Sequence, residues 1–281
     1  MRVFMTGATG FVGRALALRL QRDGHRICAW VRNEARARNL LGAGIDLLPT
    51  GASRNALVEA LSGCDGVVNL AGEPVVGGRW TERRKAALVE SRVGVTSRLV
   101  DAIADAARPR VLVSASAVGF YGDRGAEALD EASTGGSGFL ADLCQTWEEA
   151  ALKAEVRGVR VVRARIGVVL GREGGALEKL LPPFRAGLGG HVGSGRQYVS
   201  WIHLHDLTEV LTAALVDERM EGAVNAVAPG AVTNREMTKA LGRAVRRWTP
   251  APVPAPALRL AFGEGATALV DSQRVIPRRL L

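Results

Sequence analysis

"RVFMTGATGFVGRALALRL", residues 2–20, decides the fold. A short apolar run, 2–6, reads as a strand, and from Gly13 onward alanine and leucine recur at helical spacing. Between strand and helix stand Gly7, Gly10 and Gly13, a G-x-x-G-x-x-G turn. Gly7 allows a tight bend, Gly10 lets the backbone approach a pyrophosphate, and Gly13 lets the helix pack on the strand. The free N–H groups of the helix N-terminus then face the anion. A glycine-rich turn alone is common. One that ends a strand and opens a helix is a dinucleotide site.

Outward from this turn the same alternation continues. Apolar runs at 26–31, 66–72, 110–116, 159–170 and 223–229 read as further strands, and helical patterns fill 13–24, 81–107 and 140–155. Strands without polar alternation, separated by helices, imply a parallel sheet covered on both faces, a doubly wound α/β fold. After residue 170 glycine and proline rise and the alternation loosens. The expected division is a dinucleotide-binding unit over 1–169, completed by 202–227, and a small substrate lobe from 170–201 and 228–281. The stretch 249–260, "TPAPVPAPALRL", reads as a proline-stiffened connection into a last short helix.

The second strand ends "AWVRNEARARN" (29–39). A site selective for an unphosphorylated ribose would place Asp or Glu there, whereas Arg32 suits a 2′-phosphate through charge-assisted bonds. NADP(H) is therefore favoured over NAD(H). Arg36 and Arg38 read as a solvated helix face.

The totals exclude other classes. Net charge is +9, yet only four of the 37 basic residues are lysines, and aromatics make up 5%, too few to stack bases, so no nucleic-acid partner is expected. Cys28, Cys64 and Cys144 are scattered and odd in number, which suggests core thiols in a reducing cytosol rather than a disulfide framework. The chain enters its first strand at once, and no apolar run reaches the roughly 18 residues needed to span a bilayer. A cytoplasmic protein without a membrane or metal site is expected, a monomer or homodimer.

With "VVNLAGEP" (67–74), "VSASAVGFYG" (113–122) and "GSGRQYVSWIHLHD" (193–206), the glycine turn resembles the extended short-chain dehydrogenase/reductase family, the NAD-dependent epimerase/dehydratase superfamily. More narrowly, "NLAGEPVVGGRWTERRK", "ESRVGVTSRLV" and "GGALEKLLPPFRAGLGGHVGSGRQ" are similar to its epimerase-family oxidoreductases, in older labels cell-division-inhibitor-like proteins. The resemblance covers nearly the whole chain. It implies a Rossmann sheet and an NADP(H)-dependent oxidoreductase or epimerase-like activity on a small substrate. It places at the cofactor Gly7, Thr9, Gly10, Phe11, Val12 and Gly13, then Val31 and Arg32, then Leu70, Ala71 and Gly72, with Val169 near the nicotinamide.

Family members of the active type use Ser, Tyr and Lys, in which Tyr exchanges a proton, Lys lowers its pKa and Ser orients the substrate oxygen. Here Ser116, or else Ser114, stands at the serine's place. The tyrosine and lysine become Phe139 and Leu143, and neither Tyr121 nor Tyr198 has a lysine four places on. Tyr121 is the best remaining phenol, read either as a proton donor or as a packing aromatic. Other candidates are Glu73, Lys85 and His203, with Lys179, Arg196 and Gln197 as polar groups of the cleft and Asp206 as a helix N-cap. Val199 and Ser200 stand where nucleotide-sugar members carry Arg-Asp, which puts such a substrate in doubt. Arg92 replaces a family asparagine, facing either the cofactor phosphates or a surface ion pair. The missing pair leaves a second class open: an NADPH-binding regulatory protein without turnover.

Overall fold

A computed structural model describes residues 1–249 and 252–281. Seven strands make one parallel sheet: β1 (Arg2–Thr6), β2 (Arg26–Val31), β3 (Asp46–Pro49), β4 (Gly66–Asn69), β5 (Val111–Ala117), β6 (Arg160–Ile166) and β7 (Gly222–Ala226). Their order across the sheet is β7-β6-β5-β4-β1-β2-β3. This is a doubly wound Rossmann sheet. The winding reverses between β1 and β4, so a crevice opens there beyond the carboxyl ends of the strands.

Side chains on β1 alternate between two cores, as the period of two requires. Val3 and Met5 pack with Leu16 and Leu20 of α1 (Phe11–Arg22) and with Leu207 and Leu211 of the helix Leu204–Val216. Phe4 points the other way, to Leu57, Leu61, Leu99 and Ile103. A sheet sandwiched in this way has no polar face for water, which is why its strands lack alternation.

Two local readings are corrected. β3 was not expected: "DLLP" is four residues long, lies at the sheet edge and ends in proline, too short to carry a period. The run 159–170 is two strands, β6 and a separate Val168–Leu170 paired with Trp201–His203. Gly167 makes the break, since a Cβ there would fall 2.7 Å from the Ser200 carbonyl oxygen.

Further segments lie outside this sheet. They include helices Gly175–Arg185, Asn234–Ala244 and Ala255–Phe262, with Tyr198–Val199 paired to Val232–Thr233. Thr233 and Glu236 form a reciprocal capping box at the start of Asn234–Ala244. The proline connection runs partly through residues 250 and 251, which lie outside the described residues. Among the described residues no helix is long and apolar enough to cross a membrane.

Candidate cofactor site

The crevice is built from Thr6 upward. Thr6 lies opposite Asn69 in the β1–β4 register, and its hydroxyl donates to Asn69 Oδ1 at 2.6 Å. The same oxygen accepts the N–H groups of Leu70 and Ala71 at 3.1 and 3.0 Å, bending the exit of β4 toward the glycine turn. Asn69 is held in turn by donating to Thr96 and Ser114. Thr6, Asn69, Thr96 and Ser114 are all buried, so the crevice floor is a satisfied polar network rather than an adjustable loop.

The glycine turn is fitted against that floor. Gly7 has φ +67°, and a Cβ on it would lie 2.4 Å from the Leu70 carbonyl oxygen. A Cβ on Gly13 would lie 2.1 Å from the Gly7 carbonyl oxygen, so α1 reaches the strand only because position 13 is bare. Gly10 differs: its backbone is extended, with φ −78°, and the only atom near a Cβ there is the Gly7 oxygen at 3.2 Å. Gly10 is the glycine that faces open space.

That space is a cavity of about 820 Å³. Gly7, Thr9, Gly10, Val31, Arg32, Leu70, Ala71 and Gly72 line it. Arg36 joins them from the exposed face of the helix after β2. Four guanidinium groups border the cavity, those of Arg32, Arg36, Arg84 and Arg98, against the carboxylates of Glu73 and Glu90. An elongated polyanion with an aromatic or sugar body fits such a lining.

The opposite wall is one long helical run, α2 (Glu82–Val89), a π-helical turn (Glu90–Gly94) and α3 (Val95–Ile103). A π turn inserts a residue and often marks a functional site. Gly94, at its end, faces the exposed Glu90 side chain. Ser91 and Arg92 from this turn grip the loop after β4: Ser91 Oγ accepts the Glu73 N–H at 3.1 Å, and Arg92 Nη2 donates to the Glu73 carbonyl at 2.9 Å. Arg92 also stacks over Trp147, 5.4 Å from the ring, and burial pushes its guanidinium pKa down. It is neither a surface ion pair nor among the cavity-lining residues. The sequence reading overlooked Arg84, Ser91 and Arg98. Their signal was present, because positions 84, 91 and 98 are each seven apart and so share one helix face.

The catalytic candidates are placed elsewhere. Tyr121 is a correction to the expected phenol of the cleft, since it is fully buried. Its hydroxyl is 2.7 Å from Asn225 Oδ1 and 2.9 Å from the Asp130 carbonyl oxygen, and accepts from Arg165 at 2.9 Å. Burial pushes its pKa up, which favours the neutral phenol at neutral pH. Ser116 is likewise buried and turns its hydroxyl to Glu148, 2.7 Å away. Glu148, on helix Phe139–Leu152, is clasped by Arg165 through two bonds of 2.8 and 3.0 Å, and by Arg163 at 3.0 Å.

Phe139 and Leu143, standing for the missing Tyr and Lys, sit in an apolar cluster with Trp80 and Leu88. Trp80 meets Phe139 edge-on at 5.3 Å between centroids. Lys85 stands over the Phe139 ring at 5.3 Å and pairs with Glu264 at 2.5 Å, so it ties α2 to the carboxyl-terminal segment. Lys179 donates to the Val76 carbonyl, and Gln197 to those of Val192 and Leu269. Arg196 is exposed and away from the cavity. The helix that Asp206 was expected to cap starts at Leu204, and its N-cap is His203, whose Nδ1 accepts the His205 N–H.

Phe11, Val12, Gly13 and Val169 do not border the cavity. Phe11, the first residue of α1, is enclosed by Gly171, Gly174 and Gly175, where added Cβ atoms would fall 2.6–2.8 Å from its ring. Val12 and Val169 pack at the edge of the core.

Comparison with known proteins agrees with this architecture. Residues 3–226 match the model of the NAD dependent epimerase/dehydratase family. The chain belongs to that family. Residues 253–281 match a domain of unknown function, DUF1731. Over 286 residues the family member is 42% identical to the epimerase family protein SDR39U1 homolog, chloroplastic, of Arabidopsis thaliana, covering 99% of this chain and 81% of that protein. It is 38% identical to human epimerase family protein SDR39U1, covering 100% and 93%. The crystal structure of that human protein (isoform 2) with NADPH superimposes with a TM-score of 0.88 at 37% identity, covering 99% of this chain and 92% of that one.

Proposed function

We propose that this family member binds NADP(H) in the crevice between β1 and β4. One observation carries the reading: a glycine turn that tolerates no side chain at positions 7 and 13 opens onto a cavity lined by four arginines. Gly10 and the first N–H groups of α1 would receive the pyrophosphate. Arg32, with Arg36, would receive the 2′-phosphate, and Val31, Leu70 and Ala71 would flank the adenosine. The human relative, whose crystal structure is one with NADPH, supports the same assignment. When bound, the reduced nicotinamide supplies a hydride. The protein's part is to hold it, with Phe11 and its three-glycine enclosure fixing the start of α1 and Val169 closing the core behind. The three thiols are free and buried, in keeping with a reducing cytosol.

Two activities are compatible with a held dinucleotide. The family's chemistry favours an oxidoreductase or epimerase-like reaction on a small substrate. A specific arrangement favours the second, a cofactor-holding regulatory protein: Ser116 is turned to Glu148, Tyr121 is sealed among Asn225, Asp130 and Arg165, and Phe139 and Leu143 cannot move a proton.

Titration of the purified protein with NADPH and NADH, followed by nucleotide fluorescence, tests the binding claim. NADPH should bind about tenfold or more tightly than NADH, from a charge-assisted contact of roughly 1.5–3 kcal/mol, and Arg32→Glu should erase that margin. Equal affinities in the wild type would defeat the 2′-phosphate assignment. Loss of NADPH absorbance with any of a panel of carbonyl substrates would decide for the oxidoreductase.

A further inference from the structure

Glu73 is the unexplained residue of this site. It follows the β4 exit, lines a cavity whose other charges are mainly cationic, and pairs with Arg32 at 2.8 Å. Among the described residues that is the only side-chain hydrogen bond of Arg32, whose side chain is otherwise 83% exposed. Glu73 itself is far less free. Its N–H is taken by Ser91 Oγ and its carbonyl by the Arg92 guanidinium, so the π turn clamps its backbone from both sides. A long, solvent-exposed arginine would sample many rotamers. A carboxylate on a clamped backbone limits that search and holds the guanidinium beside the cavity.

We propose that Glu73 is a specificity-determining residue: a positioned carboxylate that holds Arg32 in the free protein and competes with the dinucleotide 2′-phosphate for it. The proposal rests on the NADP(H) reading above. Its sign follows from charge. A phosphate brought to Arg32 meets a fixed anion on the same guanidinium, so Glu73 lowers the affinity for the phosphorylated cofactor while leaving the unphosphorylated one nearly unaffected. The π turn thereby gains a role, because Ser91 and Arg92 set where that anion stands. Arg98 and Glu90 repeat the pattern further along the wall with a pair at 3.3 Å, but neither backbone is clamped to the β4 loop in this way.

The test compares NADPH and NADH dissociation constants for the wild type, Glu73→Gln, Arg32→Gln and the double variant. Glu73→Gln should tighten NADPH by about two- to fivefold, the range of an exposed ion pair, with NADH shifted much less. In the Arg32→Gln background that gain should shrink toward none, because the competition runs through Arg32. Weakened NADPH binding in Glu73→Gln, equal shifts for both nucleotides, or the same gain with and without Arg32 would each overturn the proposal. Glu73→Ser, which removes the same charge, gives the same ordering if the glutamine variant fails to fold. A wild type that binds neither nucleotide would instead overturn the NADP(H) reading itself.

Discussion

Alanine at Gly7 and at Gly10 separates folding from binding within one turn. At Gly7 the backbone is left-handed, which costs an L-residue about 1–2 kcal/mol. The new Cβ would also overlap the Leu70 carbonyl at 2.4 Å and the Ala71 nitrogen at 2.9 Å. Both overlaps are with backbone, and that backbone is itself pinned by the Thr6 hydroxyl, so no side chain can swing aside. We expect a total near 2–4 kcal/mol, a large share of the 5–15 kcal/mol that holds a typical protein folded. The melting temperature should fall by about 5–15 °C. Gly10→Ala meets only one oxygen, at 3.2 Å, on unstrained backbone, so its melting temperature should fall by no more than a few degrees. Its NADPH affinity should drop about tenfold or more, because the methyl stands where a phosphate would approach the turn. Differential scanning fluorimetry and nucleotide titration read both quantities on both variants. If Gly7→Ala melts with the wild type, or Gly10→Ala binds NADPH as well as the wild type does, the geometry assigned to the turn is wrong.

Further expectations concern the groups outside the cofactor crevice. Glu148→Ala leaves the buried Arg165 without its carboxylate and should destabilise by about 3–5 kcal/mol in denaturant titration, whereas Glu148→Gln should cost less. Tyr121→Phe strands Asn225 Oδ1 and an Arg165 N–H, so unfolding should become easier by about 1–3 kcal/mol while NADPH affinity stays unchanged. A change in affinity would return Tyr121 to the cleft. Asp271 is pushed up to about 6 by burial and by the neighbouring Asp123. Between pH 4 and 6 the folded chain therefore holds more proton at this site than the unfolded chain, and Asp271's contribution makes stability rise as pH falls through that window. Asp271→Asn should flatten that slope and stabilise the protein at pH 7. An unchanged pH profile of the melting temperature would contradict it.

The fold was legible because its signals are local. A strand, a bare turn and a helix within residues 2–20 state a βα unit, and six of the seven strands announce themselves as apolar runs with no polar face. The glycines of the turn could be assigned separate tasks from their positions alone, since each is required by a contact within a few residues or with the adjoining strand. The position of Arg32 was legible for the same reason: the apolar run 26–31 stops one residue before it.

The rest depended on neighbours distant in sequence. Nothing near Tyr121 foretells Asn225 or Arg165, which come from β7 and β6, so the sequence left it open between a proton donor and a packing aromatic. Ser116 met Glu148 only when helix Phe139–Leu152 packed beside β5. Arg92, read as facing either the cofactor phosphates or a surface ion pair, instead meets the Glu73 carbonyl and Trp147. Periodicity specifies which face a residue shares, and the sequence alone therefore determined the sheet, its covered faces and the glycine turn. Which polar groups remain free for a ligand, and which are consumed by one another, was decided by tertiary packing, because a buried donor or acceptor binds whatever partner the fold brings within about 3 Å.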